Sequence, residues 1–161
     1  MPNPKSYSKT QIVLHWLIVL AVLFQFFVHD AIAELWEARM EGEIANAPSP
    51  DIHAAMGIVI FALMAWRVWL RFSQGAPALP AGDPALARIL SQSVQGLLYL
   101  SVIAMPLSGA VGWFFGVGGA IEAHGIIKNL ILLLVALHIA GALAQHFVFK
   151  SNVLMRMLGR A

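Results

Sequence analysis

HGIIKNLILLLVALHIAGALAQHFVFK, residues 124–150, is the stretch whose reading decides the fold. It carries His124, His138 and His146, three of the chain's six histidines, in an otherwise apolar run. A helix advances about 1.5 Å and 100° per residue, so His124 and His138 return to nearly one face, about 40° apart, at depths about 21 Å apart. The hydrocarbon core of a bilayer is about 30 Å thick. One membrane-spanning helix therefore offers one candidate metal ligand near each side of the core, and the rest of the chain supplies partners.

Composition agrees with a membrane setting. The 161 residues are 60% hydrophobic and 11% charged, with mean hydropathy +0.78, whereas soluble domains carry about 25% charged residues. The reading is an all-α integral membrane protein of one domain, residues 1–161. A net charge of +2 and a pI near 9.3 do not point to nucleic acid, because the basic residues are scattered beside apolar runs. The chain has no cysteine, which excludes disulfides, thiolate-bound zinc, iron–sulfur clusters and covalently attached haem.

Four apolar segments predict four spans, at about 10–29, 52–72, 88–115 and 121–150, in up-and-down order. The first follows Lys5 and Lys9. Ala31-Ile32-Ala33 resembles a signal-peptide cleavage site, but the apolar run is longer than a usual signal core and contains His15, Trp16 and Gln25, so an uncleaved span is expected. Residues 30–51 form an acidic loop holding Asp30, Glu34, Glu37, Glu41, Glu43 and Asp51. Ala31 to Glu43 has the spacing of an amphipathic helix lying on the membrane surface, and Ala47-Pro48-Ser49-Pro50 breaks the chain before the second span. Pro106 is expected to kink the third span, with neighbouring groups satisfying the freed carbonyl. A short glycine-rich loop, GVGGA, leads to the fourth.

Lys5, Lys9, Arg67, Arg71, Arg88, Lys150, Arg156 and Arg160 fall on one side, and only Arg39 and Lys128 on the other. By the positive-inside rule both termini are expected in the cytoplasm. His53 and His124 then share the outer depth. His15 shares the inner side with His138, and His146 lies closer still to the cytoplasmic end. On an ideal helix His138 and His146 stand about 40° to either side of His124, and Gly141, three residues after His138, offers space for a macrocycle beside His138. Extension of the last helix beyond Lys150 would improve the depth match of His138 with His15. Two imidazoles on facing helices make a closed six-coordinate haem site suited to electron transfer. A metal transporter, the main competitor, would want intramembrane carboxylates, and none lies between the helix ends. His29 reads as an interfacial polar residue.

The residues also carry a resemblance. SKTQIVLHWL in the first span, IHAAMGIVIFALMAWRVWLRF in the second, LLYLSVIAMPLSG in the third and LHIAGALAQHFVFKSNVLMRML at the end together resemble the bacterial cytochrome b561 family, which includes superoxide oxidase. The resemblance covers nearly the whole chain. It implies a four-helix bundle in the bacterial inner membrane with two haem b groups, and ubiquinone as electron acceptor. It places the haem ligands on His15, His53, His124 and His138.

Expected function follows from both readings. A donor on the periplasmic side gives electrons that reach ubiquinone on the cytoplasmic side. Arg67, Arg71 and Lys150 are candidates for haem propionates or the quinone, with ordinary snorkelling to the interface as the alternative. The family suggests superoxide as donor, and positive charge from Lys128 would favour that anion. The acidic loop suggests instead docking of a periplasmic redox protein. A haem or metal carrier without enzymatic activity is the remaining alternative.

Overall fold

The computed structural model describes residues 4, 6–41, 51–80, 82 and 84–160. All regular structure among these residues is helical: α1 (Lys9–Phe27), α2 (His29–Met40), α3 (Asp51–Gln74), α4 (Ala85–Phe115), α5 (Gly118–Phe147) and α6 (Val153–Met157). The chain is an all-α membrane protein. Lys9–Phe27, Ile52–Gln74, Ala85–Phe115 and Gly118–Phe147 are long and apolar enough to cross a bilayer. Leu20, Phe27, Ile58, Trp69, Phe115 and Ile126 point outward, as side chains solvated by lipid would.

The four long helices run alternately up and down, so the bundle has two ends. One, the terminal end, holds the start of α1, the end of α3, the start of α4, the end of α5, and α6. The other, the α2 end, holds α2 and the α4–α5 turn.

Each end is fixed by polar contacts. Ser8 caps α1 with its hydroxyl on the Gln11 backbone N–H, and the Ser8 N–H donates back to Gln11 Oε1 at 3.0 Å, a capping box. Gln11 also reaches across to α3. Its Nε2 donates to the carbonyls of Leu70, in the last turns of α3, and Gly75, just past its end, at 3.4 and 3.0 Å, and the latter carbonyl has no helical partner. One buried side chain thus closes the start of one helix and the end of its antiparallel neighbour. Short α6 is held by Trp16, whose indole N–H donates to the Met157 carbonyl at 3.1 Å, and by Arg156, which donates to the Ala78 carbonyl at 3.0 Å.

At the α2 end, Gly116 and Val117 alone connect α4 to α5. Gly116 takes φ +68°, a left-handed conformation that glycine adopts without strain. The expected GVGGA loop is thus mostly helix: Gly118, Gly119 and Ala120 form the first turn of α5, tied by the Ala120 N–H to the Val117 carbonyl at 3.0 Å. At its other end α5 stops at Phe147 and does not extend past Lys150, which lies exposed with φ +51°. The expected surface helix begins earlier, at His29, one residue after α1. Glu43 and the Ala47–Pro50 break lie outside the described residues.

The helices do not pack equally. α4 packs along α5 and α3, and α3 along α1, while α1 and α3 have at most sparse backbone approach to α5. Ile18, Ile60, Met64, Val102 and Ile131 form the core at mid-height. Ile131 stands halfway between His124 and His138 in sequence, so this apolar layer separates two polar levels.

Candidate functional site

Both histidine pairs expected from depth come together. The ring centres of His53 and His124 lie 6.1 Å apart at the α2 end, and those of His15 and His138 lie 6.2 Å apart toward the terminal end. In each pair the partners sit on helices that stand off from one another. An imidazole nitrogen binds a transition metal at about 2 Å and lies about 1.1 Å from its ring centre, so two imidazoles on opposite sides of one metal have centres about 6.3 Å apart. Both separations match that distance. No cluster of three or more His, Cys, Asp or Glu able to hold a metal occurs among the described residues, so the donor sets are pairs, which is what a tetrapyrrole with its own four nitrogens requires.

The pair at the α2 end shows how its ligand atoms are prepared. His124 Nδ1 lies 2.9 Å from the Met105 carbonyl and 3.2 Å from Ser108 Oγ, and the Ser108 hydroxyl itself donates to Met105 at 2.8 Å. A carbonyl only accepts, so Nδ1 carries the proton and Nε2 keeps its lone pair for a metal. His53 Nδ1 is buried with no hydrogen-bond partner, and a buried ring nitrogen unused by the protein suits a ligand. A cavity of about 370 Å³ adjoins both rings, walled by Val22, Gln25, Gly57, Pro106, Gly109 and Ile131 among others. At Gly109 a side-chain carbon would stand 3.1 Å from the His124 ring, so glycine keeps the ring where it is. Gln25 holds the start of α3, donating to the His53 carbonyl at 2.9 Å.

The other predicted residues are placed as follows. Arg67 Nη1 donates to the Gln11 carbonyl at 2.7 Å. Arg67 and Arg71, one turn apart on α3, flank the Tyr99 ring at 5.9 and 5.6 Å. Lys150 is exposed beyond α5, apart from these. His146 packs edge-on against Phe147 at 4.8 Å, while His138 faces His15. His29 is no bare interfacial residue: Lys128 Nζ lies 2.8 Å from its Nε2, and both line the cavity together with Trp36 and Glu37 of α2.

Sequence reasoning missed Gln11, Gln25, Ser108 and the Met105 carbonyl. Pro106 is no signal for the last of these: its missing N–H frees the carbonyl four residues before it, that of Val102, and not that of Met105.

This architecture defines a class, a helical membrane protein with paired histidines stacked at two depths. The match to the prokaryotic cytochrome b561 family model over residues 6–160 makes it specific: the chain belongs to that family. Among curated relatives, a cytochrome b562 of Cereibacter sphaeroides is 29% identical, over 98% of both chains. A cytochrome b561 homolog of Escherichia coli is 27% identical over 96% of this chain and 97% of its own, and a probable superoxide oxidase of Yersinia pestis 26% over 96% of each. No solved structure matches the chain. The chain is therefore a haem b protein of a bacterial membrane that takes part in electron transfer.

Proposed function

We propose that this chain carries single electrons across the bacterial inner membrane, from a donor at the α2 end to ubiquinone at the terminal end. The observation that carries this reading is the pair of imidazole separations, each suited to one six-coordinate metal, at two levels of one bundle. His53 and His124 would hold one haem b, and His15 and His138 a second. Bound there, the two groups supply reversible one-electron couples shielded from water.

The protein's residues do the remaining work. Met105 and Ser108 fix the His124 tautomer. Gly109 sets the ring's distance from α4. Arg67 and Arg71 place positive charge at the terminal end, where propionates or a quinone would meet it, and Lys150 adds to that charge at the surface. The excess of Lys and Arg at this end supports, by the positive-inside rule, a cytoplasmic side for both termini.

Superoxide is the donor favoured by the Yersinia pestis relative's name and by the Lys128 ammonium beside the cavity. Two superoxide anions each give up one electron and leave as oxygen, and one ubiquinone takes both electrons and two protons to become the quinol. Glu34 and Glu37 on α2, with Glu41 just after it, favour a second reading, docking of a basic periplasmic redox protein.

An optical redox titration of purified protein, with haem quantified per chain, tests the core reading. Two low-spin haems per chain are expected, and the absence of low-spin haem would refute it. Superoxide-driven quinone reduction by the same preparation separates the two donors.

A further inference from the structure

We propose that Arg67 raises the electron affinity of the site between His15 and His138, making it the stronger electron acceptor of the two sites. The inference rests on the reading that both histidine pairs hold haem. Its starting point is a spacing. On α5 the two candidate ligands are 14 residues apart; on α3 the residue 14 positions after His53 is Arg67. The two helices run parallel, both from the α2 end to the terminal end. With the same interval, α5 presents a ligand to each level, while α3 presents a ligand to one level and a guanidinium to the other.

Arg67 is fixed there. It donates at 2.7 Å to the carbonyl of Gln11, one helical turn before His15 on α1, which holds its charge at the level of the His15 and His138 pair. No described carboxylate stands near enough to neutralise it. Arg67, Arg71, Arg88, Arg156, Lys9 and Lys150 all lie toward the terminal end, and the described carboxylates, Glu34, Glu37, Glu41 and Glu122, all lie toward the other. The two tyrosines beside the guanidiniums do not substitute for a carboxylate. Burial pushes the Tyr7 phenol up from the usual tyrosine range, against the pull of Arg71, so it remains neutral. Tyr99 offers its ring face to Arg67 and Arg71, which attracts a cation without cancelling its charge. At the other level the nearest described cation, Lys128, is shared with His29, and Glu37 lines the same cavity.

Adding one electron to a site lowers its positive charge by one. A fixed cation nearby favours the reduced state, strongly so in a low-dielectric interior. The charge layout therefore tilts the two levels so that an electron arriving at the α2 end moves toward the termini.

The test is a redox titration of the purified, haem-loaded protein in which each step is assigned by the variants His53→Ala and His15→Ala, which should each keep one step. In the unmodified protein the step belonging to His15 and His138 is expected at the higher potential. Arg67→Met should move that step down, leave the other in place and keep the haem content. Arg67→Lys, which retains the charge, should hold the step near its original value. The inference is overturned alone if the step stays put in Arg67→Met, if Arg67→Met and Arg67→Lys shift it equally, or if Arg67→Met simply loses that haem. Absence of six-coordinate haem from the unmodified protein would instead remove the proposed function and this inference with it.

Discussion

His124, His138 and His146 share one helix, and their neighbours separate their roles. His138 faces His15 across the gap between α1 and α5, whereas His146 turns to Phe147. His138→Ala is therefore expected to lose one of two haems, the one nearer the termini, and His146→Ala to keep both; pigment analysis of each purified variant decides. Gly109→Val adds a branched side chain at a position where even a single carbon would come within 3.1 Å of the His124 ring. Haem at the α2 end should then dissociate more readily while the other is retained, as a competition assay with apomyoglobin would show. The outer pair was legible in the sequence because depth is arithmetic on residue numbers, whereas His138 and His146 stand about 40° to either side of His124 and bearing alone does not choose between them. The hydrogen bond that fixes the tautomer of His124 was not, since its acceptor is a backbone carbonyl and no residue letter marks it.

At the level of elements, α5 acts as a ruler with a ligand at each mark. One alanine inserted after Ile131 would turn everything beyond it by about 100° and shift it by about 1.5 Å. That insertion should cut haem content from two per chain to one, because only one pair can keep its register with the other helices. Gln11 ties α1 to α3 through three backbone groups. Gln11→Ala leaves the buried Gly75 carbonyl without its donor, at a cost of about 1–3 kcal/mol, and should lower the thermal unfolding midpoint measured in detergent. The spans were legible from apolar length alone. Their ends were less so. The glycines after Gly116 read as loop, yet helix propensity there yields to close packing of α5 on α4, where a side chain at Gly112 would overlap Ile121. Likewise α2 read as a helix lying on the membrane surface, but Trp36 meets Trp113 of α4 at 6.1 Å and Lys128 of α5 meets His29. Such cross-helix contacts have no local pattern in the chain.

Across the whole molecule, charge is segregated by end, and the same segregation that orients a chain during insertion also biases electrons within it. A reporter active only in the cytoplasm, fused after Ala161, should be active; activity only from a periplasmic reporter would reverse the orientation and with it the direction of electron flow. Four spans and two polar levels could be read from hydropathy and histidine spacing. The neighbour relations that leave α1 and α3 standing off from α5 could not, because hydropathy says which faces avoid water and nothing of which helix stands beside which.

The two-residue link between α4 and α5 bears on how the protein is made. Helices so tightly joined enter the bilayer as one hairpin, and the older arm brings Met105 and Ser108 to meet the imidazole of the younger. The ring is thus given a hydrogen-bond partner as soon as it leaves the translocation machinery, with no pigment present. Cells starved of haem should accordingly accumulate colourless, membrane-integrated protein, and supplying haem afterwards should load it without new synthesis.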